Sequence, residues 1–203
     1  TAAGARVRLT AAQWRLGGQG RLVKSDRGYP GPFGTDPNHT SDGVDRVSRG
    51  RNTQATVGVL GEVALSPRVR THGTFSYADL SAKFESPFGP SFSDTVRKDG
   101  RWQLDAILSS SLSGSGGAEV LDERARSTYI TGRSSERLPI HRRGIGTFAE
   151  ARAEFASRWT MSAGIRIEQI RRDALDADAF GQRPPLAESS ITSTNPRAAI
   201  SWL

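Results

Sequence analysis

Residues 144–171 read GIGTFAEARAEFASRWTMSAGIRIEQIR, and no other stretch restricts the fold as tightly. In the first run Ile145, Thr147, Ala149, Ala151, Ala153 and Phe155 hold the odd positions, and Glu150, Arg152 and Glu154 are among the even ones. After a turn at 156–158, Trp159, Met161, Ala163, Ile165 and Ile167 are odd, while Thr160, Ser162, Gly164, Arg166 and Glu168 are even. Strand side chains alternate between faces, so this is a β-hairpin with one uncharged face and one face that is charged or small. Phe155 and Trp159 stand where the uncharged face meets the turn. A transmembrane β-barrel needs an apolar outer face, a polar inner face and an aromatic collar. A soluble sandwich alternates as well, so the hairpin alone leaves both open.

The same period recurs along the chain. It runs through 5–9 and 14–24, where Arg15, Gln19 and Arg21 oppose Trp14, Leu16 and Leu22. It returns in 53–65, with Val57 and Val59 on one face, and in 69–77. In 101–112, Trp102, Leu104, Ala106, Leu108 and Leu112 oppose Arg101, Gln103 and Asp105, and 195–203 closes the series. The stretch 117–130 should be a strand too, but Asp122, Glu123 and Arg124 are consecutive and leave no face uncharged. A bulge or an early exit above a membrane accounts for that. Tight turns are expected at 10–13, 66–68, 113–116 and 156–158, and long polar connections at 26–52, 84–100, 131–143 and 172–194. Short and long connections alternate in outer-membrane barrels, whereas a sandwich has mixed lengths at both ends. The expected fold is therefore all-β: an antiparallel up-and-down meander of about nine strands, part of a larger transmembrane barrel.

Composition agrees. The hydrophobic fraction is 35%, against a usual ~45–50% counted with glycine, which is thin for a packed core. A barrel strand needs only alternate residues to be apolar. No run of about 20 apolar residues exists, so no membrane helix is expected. With Cys 0 there is no disulfide framework or thiolate metal site. The net charge of +7 is spread over turns, loops and one strand face, so no nucleic-acid partner is expected. Thr1 and the mid-alternation ending Ser201-Trp202-Leu203 lead us to expect 1–203 to be a fragment of one barrel domain.

Five segments stand out: GYPGPFGTDP at 28–37, VSRG at 47–50, GTFAEARAEF at 146–155, MSAGIRIE at 161–168 and SSITSTNPRAAISW at 189–202. In them the chain resembles the barrel of TonB-dependent outer-membrane receptors, in the broad group of vitamin B12 and siderophore receptors. The resemblance covers nearly the whole chain, in order. It implies a 22-stranded barrel around an N-terminal plug, which is not in this stretch. It also implies energy-coupled uptake of a scarce nutrient, such as a metal chelate or cobalamin, across the bacterial outer membrane. The implied partners are membrane lipid, the small-molecule nutrient, the plug and the TonB complex, the last two acting through other parts of the chain. Two alternatives stay open: a soluble all-β binding module, and a passive porin-like or autotransporter barrel.

Catalysis is not expected, since no Gly-x-Ser-x-Gly elbow occurs. No cofactor or metal is expected either. His39, His72 and His141 lack ligand spacing, and Asp36, Asp42 and Asp45 match no defined calcium loop. Tyr29, Phe33 and Phe88 in the long connections are candidates for an aromatic rim that catches substrate, or else turn-forming packing residues. Arg142 and Arg143 would attract an anionic substrate or sit at charged headgroups. The alternation assigns Arg15, Arg21, Gln103, Asp105, Glu150, Arg152, Arg166 and Glu168 to the lumen. It assigns Val57, Val59, Leu104, Leu108, Ile145, Ala149, Ala151 and Ile165 to lipid.

Overall fold

Among the described residues nine strands form a single sheet in sequence order, every neighbouring pair antiparallel. They are β1 (Ala2–Thr10), β2 (Trp14–Gly28), β3 (Arg49–Ser66), β4 (Val69–Ser86), β5 (Gly89–Ile107), β6 (Leu112–Ser127), β7 (Leu138–Phe155), β8 (Trp159–Arg172) and β9 (Ser189–Trp202). The structure, a computed structural model, describes residues 1–29, 48–86, 89–128, 137–155, 158–177 and 184–202. No helix among the described residues is long and apolar enough to cross a membrane.

Cross-strand partners share a face, so the register sorts every side chain. One row runs Arg15, Glu62, His72, Gln103, Gly117, Phe148, Arg166, Asn195 from β2 to β9. A row on the opposite face runs Val69, Ala106, Gly114, Ala151, Ala163, Ala198. The first face is polar; the second is apolar from the tight turns upward. Leu60, Leu80 and Ile191 are exceptions that stand on the polar face.

Among the described residues no second layer covers the apolar face. Among the described residues no hydrophobic side chain is buried, and Ile145 is 58% exposed and Val57 47%. Soluble proteins seldom leave apolar surface of this extent bare. The apolar stretch of β4, residues 69–77, would rise about 23 Å at ~3.3 Å per residue and a tilt near 40°, close to the apolar band of a barrel. At its lower edge Phe155, Trp159 and Trp202 are successive cross-strand partners. Phe155 stacks on Trp159 at 6.4 Å between centroids, and Trp159 meets Trp202 at 6.5 Å. Trp14 lies at the same end on β2, apart from them.

Three sequence expectations are corrected. The stretch 84–100 is not a long loop: β4 and β5 pair without interruption up to Ser86 opposite Gly89, and only Pro87 and Phe88 join them. Gly89 has a positive φ of 112°, a conformation L side chains rarely take, which lets the chain turn back. The alternation of short and long connections therefore fails at this hairpin. Second, the tight turn after β5 is 108–111 rather than 113–116, so Leu108 is a turn residue and not a strand residue. Third, β6 is a full strand, paired in unbroken register with both neighbours, so the bulge at 122–124 falls away and the other account, an exit above the apolar band, is the one that fits. The common cause is that above the apolar band both faces meet water. The backbone ladder continues there without needing alternation, and alternation is the primary strand signal in a sequence.

At that upper end the formerly apolar face turns charged. Arg49 binds both oxygens of Asp26, and Arg51 Nε is 3.4 Å from the same carboxylate. Lys83 Nζ donates to Glu85 at 2.6 Å. The Arg49 hydrogen bond holds the Asp26 carboxyl below its ordinary 3.8, and Lys83 likewise lowers Glu85. A lowered carboxylate contributes order that is present above the ordinary value and lost as pH falls through the folded one. Hydrogen exchange of the 25–28 amides, corrected for intrinsic pH dependence, should therefore speed up below pH 3.8. In Asp26→Asn it should already be fast and flat with pH. A wild-type profile that stays flat through that range would remove Asp26 as the clasp.

Candidate functional site

The polar face carries two sets of ion pairs and hydrogen bonds built by register, a cluster on Glu62 and a chain from His72 to Glu168. Glu62 on β3 takes Arg70 at 3.1 Å and Arg15 at 3.7 Å. His72 Nδ1 lies 3.3 Å from Asp105, and Gln103 donates to the other oxygen of Asp105 at 2.7 Å. Arg101 donates to Gln103 Oε1 at 2.9 Å and reaches Glu119 at 3.2 Å. Glu119 also holds Arg166 at 2.6 Å, and Arg166 extends to Glu168 at 3.6 Å. The network thus crosses from β4 to β8 at mid-height, with Glu119 at its centre between two arginines. A cleft of about 290 Å³ opens among Arg97, Asp99, Arg101, Glu119, Arg166 and Glu168.

Phe148 seats this network. Its ring lies against Gly117, and the Arg101 guanidinium stands 4.7 Å from the ring centroid. A cation over an aromatic face is attracted by the ring quadrupole, so Phe148 helps hold Arg101 while its nitrogens reach Gln103 and Glu119. Lower on the same face Glu150 is bound by Arg197, and Arg152 reaches Glu154 at 3.3 Å. Exposed pairs of this kind each contribute little. What the array offers is a fixed field of alternating charge and many hydrogen-bonding sites.

Arg15, Arg21, Gln103, Asp105, Glu150, Arg152, Arg166 and Glu168 all stand on this polar face. Arg21 makes no ion pair with the described residues. Val57, Val59, Leu104, Ile145, Ala149, Ala151 and Ile165 share the other face, where all but the half-buried Leu104 are exposed. Leu108 lies in its turn against the apolar side of Gly114. Glu62, His72, Arg101, Glu119, Phe148 and Arg197 are functional candidates that sequence reading left out of its set. The parity of β6 would have found Glu119 once that strand was accepted.

At the loop end, Tyr29 meets Phe84 edge-on at 5.7 Å and its ring covers Gly50 on the polar face. Its backbone N–H donates to Ser48 at 3.0 Å. Phe33 and Phe88 lie outside the described residues. The two neighbouring arginines separate: Arg142 is on the polar face, 2.6 Å from Glu123, whereas Arg143 is on the opposite face, 3.5 Å from Asp122. Among the described residues no group of three or more His, Asp or Glu is placed to hold a metal ion. His39, Asp36, Asp42 and Asp45 lie outside them.

Residues 4–203 match the family model described as TonB dependent receptor-like, beta-barrel. No curated protein sequence matches the chain. Among solved structures, BauA, the ferric preacinetobactin receptor of Acinetobacter baumannii, superposes with a TM-score of 0.71 at 10% identity, over 98% of this chain and 36% of that one. The open form of the ferric-catecholate import receptor Fiu of Escherichia coli K12 gives 0.65 at 10% identity, over 99% and 43%. OmpT, an outer membrane protein of Vibrio cholerae, gives 0.56 at 13% identity, over 100% and 56%. The chain thus spans well under two thirds of the length of these proteins.

Proposed function

The chain belongs to the TonB-dependent receptor-like β-barrel family of the bacterial outer membrane, and from that premise we propose that it is a wall segment of a receptor for energy-coupled uptake of a scarce nutrient. The polar face is the lumen wall and the apolar face meets lipid. The observation that carries this reading is the division of one uncovered sheet into an apolar band and a charged network. In water the band would be left bare; in a bilayer acyl chains cover it. Among the described residues β1 and β9 each present an unpaired edge, which hydrocarbon does not tolerate. Further strands of the same barrel pair with them.

A metal chelate is the substrate class we favour, with cobalamin the second. Support comes from the similar ferric preacinetobactin and ferric-catecholate receptors and from the arginines of the polar face. The Glu119-centred network is the surface against which a plug domain packs, and Tyr29 and Arg142 stand at or near the mouth; Phe33 and Phe88 stay substrate candidates on the sequence alone. Arg143, turned to the other face, drops out of the substrate set. No catalytic step is assigned.

Cys 0 makes the faces easy to test. In the full-length receptor, Arg166→Cys should react with a water-soluble maleimide entering the lumen, and Ile165→Cys should react only with a lipid-soluble one. Equal reaction of both with the water-soluble reagent would defeat the face assignment. Uptake of a labelled ferric chelate should stop when the proton-motive force is collapsed. Uptake that persists would identify a passive barrel instead. Glu119→Gln should reduce uptake several-fold while insertion, read by surface labelling, stays normal, since a charge lost from the lumen wall leaves the lipid face intact.

A further inference from the structure

On the apolar face the chemistry changes within one cross-strand row. Tyr77, at the top of the apolar stretch of β4, opposes Lys98; Lys98 opposes Asp122, Asp122 opposes Arg143, and Arg143 opposes Arg171. The row beneath is Phe75, Gly100, Val120, Ile145. Phe75, Val120 and Ile145 are 49%, 56% and 58% exposed. Above lie Asp79, Val96, Arg124 and His141, then Ser81, Asp94 and Arg126.

The acids in this patch are already engaged. Asp122 is met by His141 Nε2 at 2.9 Å, Arg124 at 3.2 Å and Arg143 at 3.5 Å. Asp173 holds the other ring nitrogen of His141 at 3.0 Å, and Asp94 is taken by Arg137 at 2.5 Å. Asp79 accepts from Tyr77 at 3.2 Å. Lys98, Arg126 and Arg171 form no ion pair with the described residues. Cationic groups are therefore left over at the height where the apolar band stops. A cleft of about 800 Å³ opens among Lys98, Asp122, Arg124, Arg126, His141 and Arg143.

We propose that the patch formed by Lys98, Arg124, Arg126 and Arg143 docks the phosphate of an outer-leaflet lipid whose acyl chains lie along Phe75, Val120 and Ile145. This rests on the reading of the apolar face as lipid-facing. Two observations favour a lipid phosphate over a soluble anion. The patch is continuous with the uncovered apolar strip directly below it. It also stands on the face opposite the polar network, away from any substrate in the lumen. Arginines and lysines with spare donors suit a phosphate, and the short distance to the strip lets one molecule satisfy both.

The test uses the full-length receptor in a neutral detergent, with bound lipid read by native mass spectrometry. The probes are a phosphatidic acid and the uncharged diacylglycerol with the same chains. Wild type should retain phosphatidic acid over diacylglycerol. The variant Lys98→Gln/Arg126→Gln should lose that preference, roughly fivefold for each cation removed. Neither residue pairs with an acid among the described residues, and normal surface labelling of the variant would show that folding is undisturbed. Arg6→Gln/Arg8→Gln on the polar face should leave retention unchanged. Retention in Lys98→Gln/Arg126→Gln equal to wild type would overturn the proposal. So would full displacement of phosphatidic acid by inorganic phosphate, which marks a free-anion site. Equal retention of both lipids by wild type would sink the patch and leave the lipid-facing assignment standing. Ile165→Cys labelling from water would sink that assignment itself.

Discussion

Arginine at Ala151 should destabilise the full-length receptor in lipid by about 2–4 kcal/mol, and arginine at Phe155 by about 0–1 kcal/mol plus the lost ring stack. Ala151 opposes Gly114 and Ala163, in the middle of the apolar stretch of β7. A guanidinium there reaches neither headgroups nor the polar face and must draw water into hydrocarbon. Phe155 stands at the tight-turn rim against Trp159, where a long side chain extends to the interface. The stack contributes about 0.5–1.5 kcal/mol, so Phe155→Leu supplies the reference for the rim. Reversible folding into lipid vesicles measures all three. Equal costs at the two depths, once the stack is subtracted, would mean that no hydrocarbon gradient crosses this face.

The second large effect is expected at Gly117. A Cβ there would lie 2.2 Å from the Trp102 carbonyl oxygen and 2.7 Å from the Phe148 ring. The carbonyl belongs to the β5 ladder and cannot yield cheaply, so the ring must move as well. Gly117→Ala should cost about 1–3 kcal/mol, the usual range for overpacking. It should also disturb what the ring supports, because Arg101 rests on Phe148 while it binds Gln103 and Glu119. In a Phe148→Ala background part of the clash is gone. The double-mutant cycle should then show coupling above about 0.5 kcal/mol. Strict additivity would mean that the ring bears no load at this glycine and that the network is seated by other contacts.

How much was legible in advance differs between the two faces. On the proposed reading of the apolar face as lipid-facing, that face could be read because hydrocarbon disfavours charge. The constraint is imposed on every second residue, and Ile145, Ala149, Ala151 and Ile165 display it plainly. The upper halves of β4, β5 and β6 could not be read. Residues such as Ser93, Asp94, Asp122 and Glu123 alternate in nothing, because water meets both of their faces. Their strand state is fixed by the ladder with a neighbour that is distant in sequence, as Asp122 is by Lys98 and Arg143. The separation of Arg142 from Arg143 was legible in principle, since adjacent strand residues point opposite ways. It was missed because 131–143 read as a connection.

The sequence by itself determined the class of fold, the order of the strands and the chemistry of each face, together with the family. A two-residue period leaves a strand only two faces, and a bilayer demands that they differ. Only the tertiary structure decided how far the strands rise beyond the band and which charges meet. Glu119 lies between Arg101 and Arg166 because β5, β6, β7 and β8 stand in one particular register. A slip of one residue would turn Glu119 to the other face. Nothing local to Glu119 encodes that register. It is set by the summed pairing of whole strands, the apolar faces of many residues aligning at once to one slab of lipid.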